Sequence, residues 1–537
     1  MSIGNAKTWE QKQKERQKVM RQTQKSKAFG GRSYKWIFLC TFIISIGLLL
    51  VGFGTYFYQK QTESSALDVS GNTITVKAGG DFQAALNRAK AGDTILLQAG
   101  ATFSGNFNLP NKSGNEFITI RTSAQDAQIP SADTRLDPAK YASVLPKLTS
   151  PNAEPVITAI NGAHHYRFIG VEFGATKGGV GNIIALGTTE EKRVEDLPHH
   201  IEFDRVYIHG SATEGQRRGI AANGRNIKIK HSHISDIKRK GEESQAIAVW
   251  ASDGPIEIVN NYLEAAAENI LFGGAGSYLK LVPTDCVVRD NLLNKPLNWR
   301  KEGWTVKNLF EIKNGRRIKV ENNLMTNNWG DAQDGTAVLF TVREDNGKAT
   351  IIEDIEFTNN IVRGSGSAVS VYGDEGSGGH NLTLRNNVFA DITGAKWNGA
   401  GNFMKSTAWD GLIIENNTIL QSGNITNAYG KPVTKFIFRN NIVFENEYGM
   451  KGDGIGSGQE AIIKFFSNGT VANNIIIGGK SALYREKNFY LNSIKQVGFI
   501  NAETSDYRLQ SNSPYLNKGL GGKQIGANVN PQTVGRK

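Results

Sequence analysis

Ile318-Lys-Val-Glu-Asn322-Asn323-Leu324 and Ile355-Glu-Phe-Thr-Asn359-Asn360-Ile361 follow one pattern: alternating apolar side chains, a pair of asparagines, then apolar residues again. Alternation is the period of a strand with one buried face, and asparagine is a corner residue, tolerant of left-handed backbone and able to hydrogen-bond its own turn. The pattern recurs outward in both directions. Upstream are Ile256-Glu-Ile-Val-Asn260-Asn261-Tyr262 and Val287-Val-Arg-Asp290-Asn291-Leu292. Downstream are Leu382-Thr-Leu-Arg-Asn386-Asn387-Val388, Ile413-Ile-Glu-Asn416-Asn417-Thr418, Phe436-Ile-Phe-Arg-Asn440-Asn441-Ile442 and Val471-Ala-Asn473-Asn474-Ile475.

Between the second members of successive pairs the intervals are 30, 32, 37, 27, 30, 24 and 33 residues. A period near thirty with irregular insertions is that of solenoid coils carrying loops of variable length, and the alternation excludes helical repeats. On stacked coils the asparagine amides would ladder from rung to rung. Vaguer coils precede these at His164–Phe173, Ile201–Ile208 and Ile227–Ile234. About a dozen coils at ~4.8 Å each predict a rod of ~55 Å. Its open end needs a cap. Asp81-Phe82-Gln-Ala-Ala-Leu86-Asn-Arg-Ala-Lys-Ala-Gly92 reads as a capping helix, with an N-cap aspartate, one apolar face and a glycine stop.

The 537 residues carry a net charge of +12, but residues 1–35 hold ten Lys or Arg against Glu10 and Glu15, which is +8 and leaves +4 for everything else. A domain so close to neutral has no field to gather a polyanion, so nucleic acid is excluded as a partner. Trp36–Tyr58 contains 23 residues without a charge, a helix of ~34 Å that spans a bilayer. The basic flank keeps residues 1–35 cytoplasmic and sends the remainder across. A cleaved signal peptide, cut near Ser64–Ala66, is the alternative, although the apolar run is long for one. The expected organisation is a basic tail (1–35), a transmembrane helix (36–58), a linker (59–71), an all-β right-handed parallel β-helix (72–530) and a short tail (531–537). The lipid bilayer is thus one partner, and the β-helix is placed on the periplasmic or outer surface. Of the two cysteines, Cys40 lies in the apolar run, so Cys286 has no disulfide partner within the domain.

Gly92-Asp-Thr-Ile-Leu-Leu97, the coils, and the ending Asp506-Tyr-Arg-Leu-Gln-Ser-Asn-Ser513-Pro514 followed by Ile525-Gly526-Ala527 resemble the pectate-lyase-like right-handed β-helix superfamily over residues 70–530. The resemblance implies a carbohydrate partner, a polysaccharide that is cleaved, epimerised or simply bound. The aspartate motifs and Gly-His-Gly of polygalacturonases are absent, as is the Trp-Ile-Asp-His stretch of pectate lyases; Phe310-Glu-Ile-Lys313-Asn is faintly similar to the lysine-bearing coil of chondroitinase B and alginate lyases.

Coils between 199 and 345 hold more charged and aromatic residues than turns require. Strand alternation predicts that Lys307, Leu309, Glu311 and Lys313 share a face opposite Asn308, Phe310 and Ile312. β-Elimination from a uronic-acid polymer needs a positive group on the carboxylate and a base within reach of the neighbouring C–H. Lys307, Glu311, Lys313 and Arg316 are the catalytic candidates, with Lys307 or Lys313 as base if burial or positive neighbours lower its pKa. His209, Arg218, Trp250, Glu268, Asn269, Lys295, Trp299, Trp304 and Arg343 are the substrate-binding candidates, the indoles as platforms for pyranose rings. Glu264, Glu268 and Glu311 have the hard oxygens that suit Ca²⁺, and Asp331-Ala-Gln-Asp334-Gly335 has two of the acids of a calcium loop. The competing readings are cross-rung ion pairs on a solvated wall, and a non-catalytic glycan-binding or adhesin-like scaffold.

Overall fold

The computed structural model describes residues 71–467 and 469–535. The expected cytoplasmic tail, transmembrane helix and most of the linker lie outside the described residues. Three long sheets run through the domain: sheets A and B of 14 strands each and sheet C of 12, with every strand paired in parallel to its equivalent one coil away. A typical coil takes Ile256–Val259 in A, Tyr262–Ala265 in B and Glu268–Phe272 in C, then returns to A at Val287–Arg289. Inward side chains stack into one core, as Phe168 does on Phe203 at 5.3 Å and Ile227 on Ile256 in register.

The asparagine pairs form the A-to-B corner, and the two members divide the work. The first is left-handed at every pair, with φ between 53° and 60° at Asn260, Asp290, Asn322, Asn359, Asn386, Asn416, Asn440 and Asn473. The second is fully buried and forms the ladder: Asn323 Nδ2 donates to Asn360 Oδ1 at 3.0 Å and Asn360 Nδ2 to Asn387 Oδ1 at 3.2 Å. Each ladder amide also caps backbone, because Asn360 Oδ1 accepts from Asn323 N at 2.9 Å and Asn360 Nδ2 donates to Val320 O at 2.8 Å. The same ladder runs from Asn261 to Asn488.

A helix at Phe82–Arg88, capped by Asp81, sets Phe82, Ala85 and Leu86 into the core beside the first coil. At the far end the chain turns back along the asparagine corner. Gly526 N donates to Asn440 O at 2.7 Å, Asn528 N to Asn386 Oδ1 at 2.7 Å and Gly535 N to Asn322 O at 3.1 Å. Ala527, Val529 and Val534 pack there on Leu324, Ile361 and Val388. Cys286 is buried in the core, where burial pushes its thiol up to about 12.

Candidate functional site

Register on sheet C sets Asn182, Arg218, Gln245, Glu268 and Asn308 side by side in successive coils. Hydrogen bonds join parts of this row into a wall. Arg218 Nε donates to Gln245 Oε1 at 2.7 Å, Gln245 Nε2 to Glu268 Oε2 at 2.8 Å, and Asn308 Nδ2 to Glu311 Oε2 at 3.1 Å. Thr341, from the next coil, donates to Glu311 Oε1 at 2.8 Å.

Two lysines lie across these carboxylates. Lys307 Nζ pairs with Glu243 and stands 3.4 Å from Glu268 Oε1, and Lys313 Nζ stands 3.8 Å from Glu311 Oε2. Both lysine side chains are only 15% exposed. Burial pulls on each ammonium, but the surrounding carboxylates outweigh it: Glu268 and Glu243 hold Lys307 above its ordinary value, and Glu311, Glu268 and Glu243 do the same for Lys313. The lowered lysine pKa on which the sequence reading based its general base is therefore absent; both side chains are ammonium ions at neutral pH. Burial pushes Glu268 up, against the pull of Lys307.

Strict alternation fails on this strand. Leu309 lies in the core with Phe310 and Ile312, while Asn308 joins Glu311 on the wall. Register stays constant along the pair, Glu268↔Asn308 and Ile270↔Phe310, so period two fails here without a bulge. Lys295 orders the turn that leads into the neighbouring strand. Its Nζ is wholly buried and donates within 3.2 Å to the carbonyls of Ala265, Ala266, Ala267 and Asn308 and to Asn269 Oδ1. Burial brings Lys295 down to about 7, with Glu268 acting the other way. Lys295 and Asn269 hold the turn into Glu268 and do not face solvent.

The indoles are corrected in the same way. Trp299 and Trp304 are 2% and 6% exposed, packed with Val306, Trp329 and Trp397 under the 295–306 loop, so they offer no open platform. Lys238 Nζ lies 4.8 Å from the Trp299 ring and 5.0 Å from the Trp304 ring. Trp250 lies 4.7 Å beneath the Arg218 guanidinium. His209 belongs to sheet B, where it meets Glu172 at 3.0 Å, and Arg316 belongs to sheet A, where it meets Glu353 at 2.8 Å. Neither is part of the sheet C wall. Glu264 is on sheet B as well, bonded to Tyr262, so the expected trio of glutamates is not one ligand set.

Arg343 follows the next sheet C strand; its backbone N–H reaches Lys313 O at 3.4 Å and its guanidinium pairs with Glu375 at 3.0 Å above the Tyr372 ring. Near the wall is a cavity of about 740 Å³ lined by residues that include Asp331, Gln333, Asp334, Lys405, Tyr429 and Lys451. Gln333 joins the two, because it accepts from Asn308 Nδ2 at 3.3 Å. Asp331 caps Val306 N at 2.9 Å and Asp334 lies 3.9 Å from Lys405, so each acid already has a partner. Sequence reasoning missed Glu243, Thr341, Tyr372 and Tyr429, whose one available signal was coil register across loops of unequal length.

Two wall oxygens accept no hydrogen bond. Glu268 Oε1, which faces only the Lys307 ammonium at 3.4 Å, and Asn308 Oδ1, its neighbour in register, are buried without a hydrogen-bond donor among the described residues. Buried lone pairs of this kind fit a hard cation, with Glu311 beside them.

No protein-family model and no curated protein matches the sequence. Solved structures do match, and the three sheets with their single corner ladder decide the fold. The chain is a right-handed parallel β-helix. An alginate lyase of the PL6 family matches 87% of this β-helix protein at 16% identity and TM-score 0.46, and the chain spans 57% of that lyase. A PL6-family polysaccharide lyase from Pseudopedobacter saltans matches over 85% of this chain and 99% of its own, at 13% identity and TM-score 0.40. A surface adhesin of Streptococcus pneumoniae matches over 65% and 80%, at 12% identity and TM-score 0.28. Likenesses this distant concern fold alone.

Proposed function

We propose that this is a membrane-anchored, extracytoplasmic β-helix enzyme of polysaccharide-lyase type that acts on acidic, uronic-acid-containing glycans. The observation that carries the reading is the sheet C wall: two ammonium groups, Lys307 and Lys313, set against Glu268 and Glu311, with Glu268 Oε1 and Asn308 Oδ1 accepting no hydrogen bond and an open cavity nearby. Cationic groups at a half-buried wall bind a uronate carboxylate and withdraw charge from it, which acidifies the neighbouring C–H. Lys313, beside Arg343, is assigned as the group that takes this proton, and Arg343 as the partner of the substrate's carboxylate or leaving oxygen.

Lys313 must first lose its own proton. The carboxylates that hold its pKa up are those that would hold Ca²⁺, namely Glu268 and Glu311 with Asn308 Oδ1. Bound there, the ion would supply neutralisation of the substrate carboxylate and cancel the negative charge around the lysine.

A non-catalytic glycan-binding or adhesin-like scaffold is the second reading, favoured by the fact that both wall lysines are paired and protonated. Incubation of the protein with a panel of uronic-acid polymers, following the absorbance of unsaturated ends, separates them. Turnover supports the lyase; retained binding with no unsaturated product supports the scaffold.

A further inference from the structure

Four of the chain's eight histidines occur as two adjacent pairs, His164-His165 and His199-His200. The pairs open successive strands of sheet A, His164 in register with His199. His165 and His200 have φ of 55° and 53°, a bulge that sends two consecutive side chains to the same side of the sheet. The result is a block two residues wide and two coils tall. His164 stacks on His199 with centroids 4.7 Å apart and planes 2° apart, and His165 on His200 at 4.5 Å and 6°.

Stacking alone requires the ring faces and leaves the nitrogens free to turn toward water. Here they turn toward one another: His164 Nδ1 faces His165 Nδ1 at 2.7 Å, and His199 Nδ1 faces His200 Nδ1 at 2.8 Å. Two imidazole nitrogens at that distance have room for one proton between them, or for a cation that takes both lone pairs. The ligand atoms of His164, His165 and His199 all fall within 4.8 Å of one another, at half-buried positions. Glu116 is the acidic neighbour of His165, and Arg225, in the next coil, is the cationic neighbour of His199 that ends the block.

We propose that His164, His165 and His199, with His200 beside them, form a site for one transition-metal ion of the Zn²⁺, Ni²⁺ or Cu²⁺ class. Neutral imidazole suits these ions, with Zn–N bonds of ~2.0–2.1 Å. The ligands come from two coils, so the ion staples the fourth strand of sheet A to the fifth, on a different sheet from the sheet C wall.

The test uses the full-length chain in detergent, without a polyhistidine tag and stripped with chelator, titrated with ZnCl₂ by calorimetry. One equivalent per chain is expected, with binding weakened at least about tenfold by His164→Gln or His199→Gln and unchanged by His380→Gln. Absence of Zn²⁺ binding, or binding indifferent to the first two substitutions, overturns the site. Should those variants fail to fold, Cu²⁺ bound to the wild-type chain decides by electron paramagnetic resonance. Hyperfine structure from three or more imidazole nitrogens supports the site, and two or fewer overturns it.

Discussion

Replacing Asn360 by leucine removes a ladder amide while keeping its approximate volume. Four hydrogen bonds go with it: Asn323 N–H and Asn323 Nδ2 lose their acceptor, and Val320 O and Asn387 Oδ1 lose a donor. Not all of these leave orphans. Asn323 Nδ2 keeps Val288 O and Glu321 O, and Asn387 Oδ1 keeps the Asn360 backbone N–H. The true losses are a buried N–H left unsatisfied, about 1–3 kcal/mol, and one bond to Val320 O, about 1 kcal/mol, so Asn360→Leu should cost about 3 kcal/mol. Asn359→Gly, one residue away, keeps the left-handed backbone that Asn359 adopts at φ 58° and loses only the contact from Asn386 at 2.7 Å, for at most about 1 kcal/mol. Hydrogen exchange of the peptide spanning 318–326 reads this directly. Exchange at Asn323 should quicken by about a hundredfold in Asn360→Leu and by less than about tenfold in Asn359→Gly. Equal effects in the two variants, or none in Asn360→Leu, would refute the division of labour within the pair.

Lys313→Ala should abolish formation of unsaturated ends while near-ultraviolet circular dichroism stays that of the wild type; undiminished turnover removes Lys313 from the mechanism. Because the carboxylates raise the Lys313 pKa, its free-base form accumulates only on the alkaline side, so turnover without divalent cations should climb as pH rises, and Ca²⁺ should move that climb to lower pH. A profile unmoved by Ca²⁺ contradicts the cation site. The same raised pKa means that the wall's ion pairs stabilise the fold below the lysine's ordinary pKa and are lost as pH passes the raised one, a decline that Lys313→Met should flatten. Lys295→Met should cost about 3 kcal/mol, since three ammonium protons no longer serve five oxygens, and should speed exchange in the 263–272 peptide. Wild-type exchange there would show that the cradle is not what fixes the turn.

The coil architecture was legible because its determinant is local: a left-handed residue, a buried amide and alternating apolar strands all fall within seven residues of each other. The capping segment was legible for the same reason, since Asp81, Phe82 and Leu86 declare themselves inside two helical turns. Legibility ended where coil meets coil. Which residue of one rung faces Glu268 depends on loops of unequal length such as 273–286 and 295–307, and Gln245 and Asn308 become its neighbours, as Thr341 becomes that of Glu311, only once those lengths are folded in. Alternation misplaced Asn308 and Leu309 beside a buried cation, Lys295, that binds Asn308 O, and nothing in the local pattern distinguishes a lysine that faces inward from one that faces out. Trp299 and Trp304 misled for a related reason: a loop rich in indoles can cover itself, and here it does.

A crystal structure of the Lys313→Ala protein with a uronic-acid oligosaccharide tests the assignment of the wall most directly. The saccharide should lie along sheet C, with a uronate carboxylate in hydrogen-bond reach of Lys307 or Arg343 and its chain entering the cavity lined by Tyr429 and Lys405. A saccharide bound to sheet A or sheet B, or one that touches neither Lys307 nor Arg343, would contradict it.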